Sequence, residues 1–276
     1  MAGKKAIEIF RYAIIGFILL IWCFPLYWLI GTSVKPDYNI FTIPPQWIPS
    51  PLSMEWFKRV LFLEKMLQYL KNSAIIGTVS AIISVSLGSL AAYSFTNFKF
   101  RGNGPLSLSI LLVRMVPRIV IIIPIFVIFK RFGLLDTYTG LILLYTGYTL
   151  PFSVWMMRGF FMEVPSDMEE AARIDGCSRI GAFWRVILPL VSPGLLATLL
   201  FVFVLCWSEF PLALVITRTR HSQTIPIAAS QYIADRGVEW GAMSAVGTIA
   251  VVPIIFFVIA VQKYLIRGLT FGAVKG

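Results

Sequence analysis

Two arginines, Arg114 and Arg118, stand four residues apart inside an apolar run of this 276-residue chain. At helical spacing the two guanidinium groups share one face. Each would cost roughly 2.5–3.5 kcal/mol near the centre of a bilayer, so both must meet a bundle interior, a wet path or a counter-charge. Glu209, also set among apolar residues, is the natural acid to pair with one of them. Two chemistries stay open. The three groups form a buried ion pair, or the arginines line a path that favours a solute carrying a negative group.

A second constellation is polar and lies between two apolar stretches: Ser166-Asp167-Met168-Glu169-Glu170-Ala171-Ala172-Arg173-Ile174-Asp175-Gly176. Ser166 followed by Glu169 reads as a capping box. The acids of the first turn suit the positive end of the helix dipole, and Gly176 is a natural stop. The spacing predicts a helix of about nine residues, about 14 Å long. Ala172 and Gly176 share a face with Ala171 beside them, nearly bare of side chains, flanked by Glu170 and Arg173. Such a short rod would let a soluble partner approach its backbone and would transmit a push without bending.

Other chemistry is thin. The single His221 and the dispersed acids make no acid–base or metal-ligand cluster of the kind an enzyme site needs. Cys23, Cys177 and Cys206 are odd in number and show no metal spacing. No glycine-rich loop ending in Gly-Lys-Ser/Thr occurs, so ATP chemistry, if used, belongs to another subunit. Metal sites: none are expected.

The elements that carry these residues are set by apolarity. The chain is 58% hydrophobic and only 13% charged, about half the charge of a soluble domain; its mean hydropathy is +0.83. Six continuous apolar runs, about 10–33, 70–97, 105–131, 138–158, 185–216 and 243–266, each exceed the roughly 20 residues that cross a hydrocarbon core. Helices are preferred over a barrel, because the runs are continuously apolar rather than alternating. The net charge of +11 is scattered over short loops, which suits lipid headgroups and not nucleic acid. Lys4 and Lys5 before Ala13–Ile30 imitate a signal peptide, but the run is too long and lacks a cleavage site, so it reads as a retained first span. Pro36, Pro44, Pro45, Pro49 and Pro51 bar a regular helix in the loop 34–68, save an amphipathic piece over Met54–Tyr69. Gly88, Ala91 and Ala92 permit a neighbouring helix to come close. Pro117 and Pro124 in the third run and Pro151 in the fourth predict a bend beside a cavity. An even number of spans puts both termini on one side, and loop basic residues divide almost evenly between the two sides.

The pattern Glu170-Ala171-Ala172, then Gly176, then Val186-x-Leu188-Pro189 resembles the inner-loop signature of binding-protein-dependent ABC importer permeases. Asn72-Ser73, Ala91-Ala92-Tyr93-Ser94-Phe95, Gly133-Leu134-Leu135-Asp136-Thr137, Leu150-Pro151-Phe152, Arg158-Gly159-Phe160-Phe161, Trp207-Ser208-Glu209-Phe210 and Gly268–Gly276 are similar to its carbohydrate-uptake, maltose-type branch. The chain departs from that pattern at Val186, at Ser208 where Asn is usual, and at Arg118 after Pro117.

The resemblance implies an all-α membrane protein with six transmembrane helices, the type I importer permease fold, and a cytoplasmic coupling helix at about 166–176. The expected organisation is a first helix and outer loop over 1–69, a transporting core over 70–266 and a cytoplasmic tail over 267–276. Implied partners are a second, homologous permease, two ATPase subunits carrying ATP and Mg, and an extracytoplasmic sugar-binding protein, in a bacterial or archaeal cytoplasmic membrane with both termini inside. The chain itself is then no enzyme and holds no cofactor. Glu169, Glu170, Ala171, Ala172, Asp175 and Gly176 would contact an ATPase, and Gly272, Ala273, Val274, Lys275 and Gly276 would make a second contact. Arg114, Arg118, Tyr145, Tyr148, Trp207 and Glu209 are the translocation-path candidates; their aromatic rings could stack on a sugar or simply pack. Rival readings are an ion-coupled secondary transporter, which would show more intramembrane carboxylates, and an importer of a non-sugar solute such as a phosphorylated polyol.

Overall fold

The computed structural model describes residues 2–234 and 237–270. The tail contact expected at Gly272–Gly276 lies outside the described residues. The chain packs as two units, Met1–Leu67 with Ala228–Val252, and Gln68–Ile227 with Pro253–Gly276.

The first unit opens with α1 (Ala2–Ser33). The proline-rich loop after it is irregular until α2 (Glu55–Lys58), which widens into a π-type turn over Arg59–Leu63. The amphipathic piece expected over Met54–Tyr69 therefore ends early, because Lys65 takes a positive φ of 54° and breaks it. Trp56 is buried and donates its indole N–H to the Lys35 carbonyl at 2.9 Å. Arg59 bridges Glu64 at 2.9 Å and Glu239 at 2.8 Å. Tyr232 donates to Glu64, and a two-residue ladder pairs β1 (Ile233–Ala234) with β2 (Gly237–Val238).

The second unit holds most of α3 (Met66–Asn97), then α4 (Asn103–Val113), α5 (Arg118–Arg131), α6 (Tyr138–Met162), α7 (Ser166–Ile174) and α8 (Arg179–Ala182). A π-type turn over Phe183–Ile187 leads to α9 (Leu188–Leu190), α10 (Ser192–Trp207) and α11 (Pro211–Ile216); α12 (Ile225–Ser230) and α13 (Trp240–Thr270) are shared with the first unit, which takes Ala228–Val252. Helix α3 packs on α6 where expected. A Cβ at Gly88 would stand 2.5 Å from that of Ser153, so only glycine permits the approach. Across the same seam Thr149 donates to Ser84 at 2.9 Å, and the Ser84 and Ser153 hydroxyls are 2.8 Å apart. Small polar residues serve as glue between helices that lipid cannot drive together. At the far end of the seam Tyr93, Met157, Phe161, Phe183 and Ile187 form a buried core.

Among the described residues, four helices, α1, α3, α6 and α13, are long and apolar enough to cross a membrane. The runs at 105–131 and 185–216 are not the continuous helices expected. The pair α4 and α5 is bent by 92°, and the pair Arg179–Leu190 and α10 by 75°; counting each pair as one crossing makes six. The first break follows from Pro117, which has no amide to donate and pushes Val116 out of helical backbone. The second lies at Val191, between Pro189 and Pro193 and after the π-type turn. Pro124 and Pro151 sit inside unbroken α5 and α6.

Candidate functional site

Two sites emerge, an exposed helix and a charged cavity. Helix α7 spans the predicted nine residues, Ser166–Ile174. Its start corrects the expected capping box. Pro165, extended at φ −61° and ψ 136°, occupies the cap position, so Ser166 is already helical. The Ser166 hydroxyl turns to the Asp167 carboxylate at 3.3 Å, and Glu169 instead accepts from the Asn97 amide at 2.7 Å. The C-terminal stop is as expected: Gly176 has φ +90°, a region that costs an L side chain energy, and the Cys177 amide donates back to the Ala172 carbonyl at 3.0 Å.

The expected bare face is also corrected. Ala172 is buried at 7% exposure, because its position on the helix turns its methyl inward. The outward stripe is Asp167, Glu170, Ala171 and Ile174, spaced i, i+3, i+4, i+7, and Ile174 is 85% exposed. Glu169 is half-buried, while Asp175 and Gly176 are exposed at the end of the rod. An apolar cleft of about 240 Å³ runs alongside, lined by Phe160, Val164, Met168 and Leu190. Ser178, which sequence reasoning passed over, caps α8 by accepting from the Gly181 amide at 3.1 Å. Its Ser-x-x-Gly setting after a helix-ending glycine was the available signal.

The second site is a cavity of about 690 Å³ at the α4–α5 bend and α6. Arg114 caps the end of α4 and Arg118 begins α5, so the two do not share one helical face as expected. The bend nevertheless brings both to the cavity wall, with Tyr148, Ile121, Ile125 and Leu212. The Arg118 guanidinium lies 4.7 Å from the Tyr148 ring centre and 3.7 Å from the Glu209 carboxylate; Arg114 lies 4.7 Å from the centre of Phe152. Glu209 is fully buried and also accepts from the amides of Leu212 at 3.0 Å and Ala213 at 3.1 Å. The anticipated Arg–Glu pair is present, with Glu209 behind the wall rather than on it.

For Tyr145 and Trp207 the structure favours the packing alternative. Both are buried packing residues: the Tyr145 hydroxyl faces the Glu209 carbonyl at 3.4 Å, and Trp207 packs against Phe203 with ring centres 5.3 Å apart. Neither lines the cavity.

A clasp that sequence reasoning assigned no role ties the loops at one end of this unit. Asp136 accepts from the Arg218 and Thr219 amides, each at 2.9 Å, and from the hydroxyls of Thr219 at 2.7 Å and Ser222 at 2.5 Å. Burial pushes its carboxyl up, yet the four donors outweigh that and hold its pKa down at about 2. Asn72 donates to the carbonyls of Arg220 and Gln223 at 2.9 and 2.7 Å, and Ser73 accepts from the Ile225 amide at 2.8 Å. Asn72-Ser73 and Asp136 stood out in the sequence only as parts of the motifs that carry the family resemblance, with no contact assigned to them.

Residues 84–271 match the family described as binding-protein-dependent transport system inner membrane component. The diacetylchitobiose uptake system permease protein of Streptomyces coelicolor is 34% identical over 264 residues, covering 96% of this chain and 95% of that protein. The trehalose/maltose transport system permease protein of Thermococcus litoralis is 35% identical over 273 residues, covering 95% and 96%. Among solved structures, a chain of a bacterial ABC transporter involved in import of the acidic polysaccharide alginate matches with TM-score 0.80 at 20% identity, covering 96% of this chain and 98% of that one.

Proposed function

Because the chain belongs to the family of binding-protein-dependent transport system inner membrane components, we propose that it is the permease subunit of an ATP-driven saccharide importer. Near end-to-end similarity to sugar-uptake permeases supports the saccharide. In this reading the chain forms half of the pathway beside a second, homologous permease. An extracytoplasmic binding protein delivers the cargo, and ATP with Mg is bound and hydrolysed on two separate ATPase subunits. Residues 70–266 are the transporting core, and α7 and both termini face the cytoplasm of a bacterial or archaeal cell.

One observation carries the coupling role. Helix α7 presents an acidic and apolar stripe outward while Ala172 and Asn97 anchor its other side. A partner gripping that stripe moves the core behind it, because α7 and the Phe183–Ile187 turn are packed into one block with the ends of α3 and α6.

Reconstitution of the importer in vesicles tests this. Gly176→Leu strains the stop at φ +90° and should lower uptake at least tenfold while ATP hydrolysis continues. A cysteine replacing Ala171 should cross-link to an ATPase subunit. Uptake still fully coupled in Gly176→Leu, together with no cross-link, would remove α7 from the role.

A further inference from the structure

We propose that the cavity at the α4–α5 bend binds an acidic group of the transported saccharide, a carboxylate, sulfonate or phosphate, and that Arg114 recognises it. The proposal rests on the reading of the chain as a saccharide permease and names the class of cargo. The charged groups at the cavity are Arg114 and Arg118 on the wall and Glu209 behind it. Glu209 spends its oxygens on two backbone amides and stands 3.7 Å from Arg118, beyond hydrogen-bond length. It balances one guanidinium and leaves the second. Among the described residues, no carboxylate lies within ion-pair distance of Arg114.

Geometry makes that second charge usable. Arg114 lies over Phe152 as Arg118 lies over Tyr148, each 4.7 Å from the ring centre. A guanidinium held by its face keeps its N–H edge available, and that planar fork suits carboxylate, sulfonate and phosphate oxygens. The rest of the wall is largely apolar, with Ile121, Ile125, Leu143 and Leu212, so the two guanidinium groups are its charged features. At about 690 Å³ the cavity has the size of a small-molecule site.

The test uses the full importer with its ATPase subunits and binding protein, in phosphatidylcholine vesicles, offered digalacturonate, trehalose 6-phosphate and maltose. One of the two acidic saccharides should accumulate at least tenfold faster than maltose. Arg114→Gln should reduce that uptake at least tenfold, Arg114→Lys should recover part of it, and maltose uptake should change less than twofold. Calorimetry on the purified importer should show saturable binding of digalacturonate or trehalose 6-phosphate, weakened at least tenfold by Arg114→Gln; absent binding of both overturns the proposal. Equal losses for acidic and neutral sugars, or a preference for maltose that Arg114→Gln leaves intact, also overturn it. An Arg114→Gln effect that arises only when phosphatidylglycerol is added would make the ligand a lipid headgroup and defeat the proposal. Accumulation of any of the three without ATP would instead sink the importer reading, since the ratio of acidic to neutral uptake is a separate measurement.

Discussion

At the scale of single residues, Glu209 does the work of an anchor. Its two oxygens serve the amides that begin α11 and the nearby Arg118. Removing the carboxylate leaves the Leu212 and Ala213 amides unsatisfied, which costs about 1–3 kcal/mol for a buried group, while the partly exposed Arg118 can turn to solvent. Glu209→Ala should therefore lower the thermal midpoint of the detergent-purified protein by several degrees, and an unchanged midpoint would mean the carboxylate holds nothing. Asp136 offers a pH-dependent counterpart. Its folded pKa of about 2 lies below the ordinary 3.8, so the clasp contributes fully above about pH 4 and weakens as the pH falls toward 2. The protection of the Arg218 and Thr219 amides against hydrogen exchange, taken relative to the intrinsic rate at each pH, should fall over that window in the native protein, whereas Asp136→Asn should show low protection at every pH.

Helices explain why those residues meet. Arg114 and Arg118 converge on one cavity because Pro117 breaks the chain between them, bending α4 against α5 by 92°. An unbroken helix would also have put them on one side, yet it could not have formed the hollow. Helix α7 shows the same dependence on a proline: with Pro165 at the cap, Ser166 loses its expected role. An N-cap serine replaced by alanine costs about 1 kcal/mol. Ser166→Ala should instead slow or speed exchange in α7 by less than a factor of two. Asn97→Ala, which removes the bond to Glu169, should accelerate it several-fold; the reverse ranking would restore the capping box.

The whole molecule is governed by the membrane it must cross. Helix α6 has 25 residues and is about 37 Å long, enough to separate the loop before it from α7 after it by a bilayer. In a cysteine-free background, Phe132→Cys and Ala171→Cys should react with a membrane-impermeant maleimide from opposite sides, Ala171→Cys only in inside-out vesicles. Labelling of both from one side would refute the proposed orientation.

Apolar length, the placement of charges and the stop at Gly176 were legible in the chain itself, because the cost of charge in lipid and of positive φ for side chains are local quantities. So were the small residues behind the α3–α6 contact and the pairing of Glu209 with one of the two arginines, although only the structure shows that it is Arg118. Which alanine of α7 faces out, whether Tyr145 and Trp207 reach the α4–α5 cavity, and the joining of Asp136 to Ser222 across 86 residues were settled only by packing. A side chain's neighbours depend on where a bend sends the next helix, and a proline marks where a helix breaks without stating the angle, which is 92° at one break and 75° at the other.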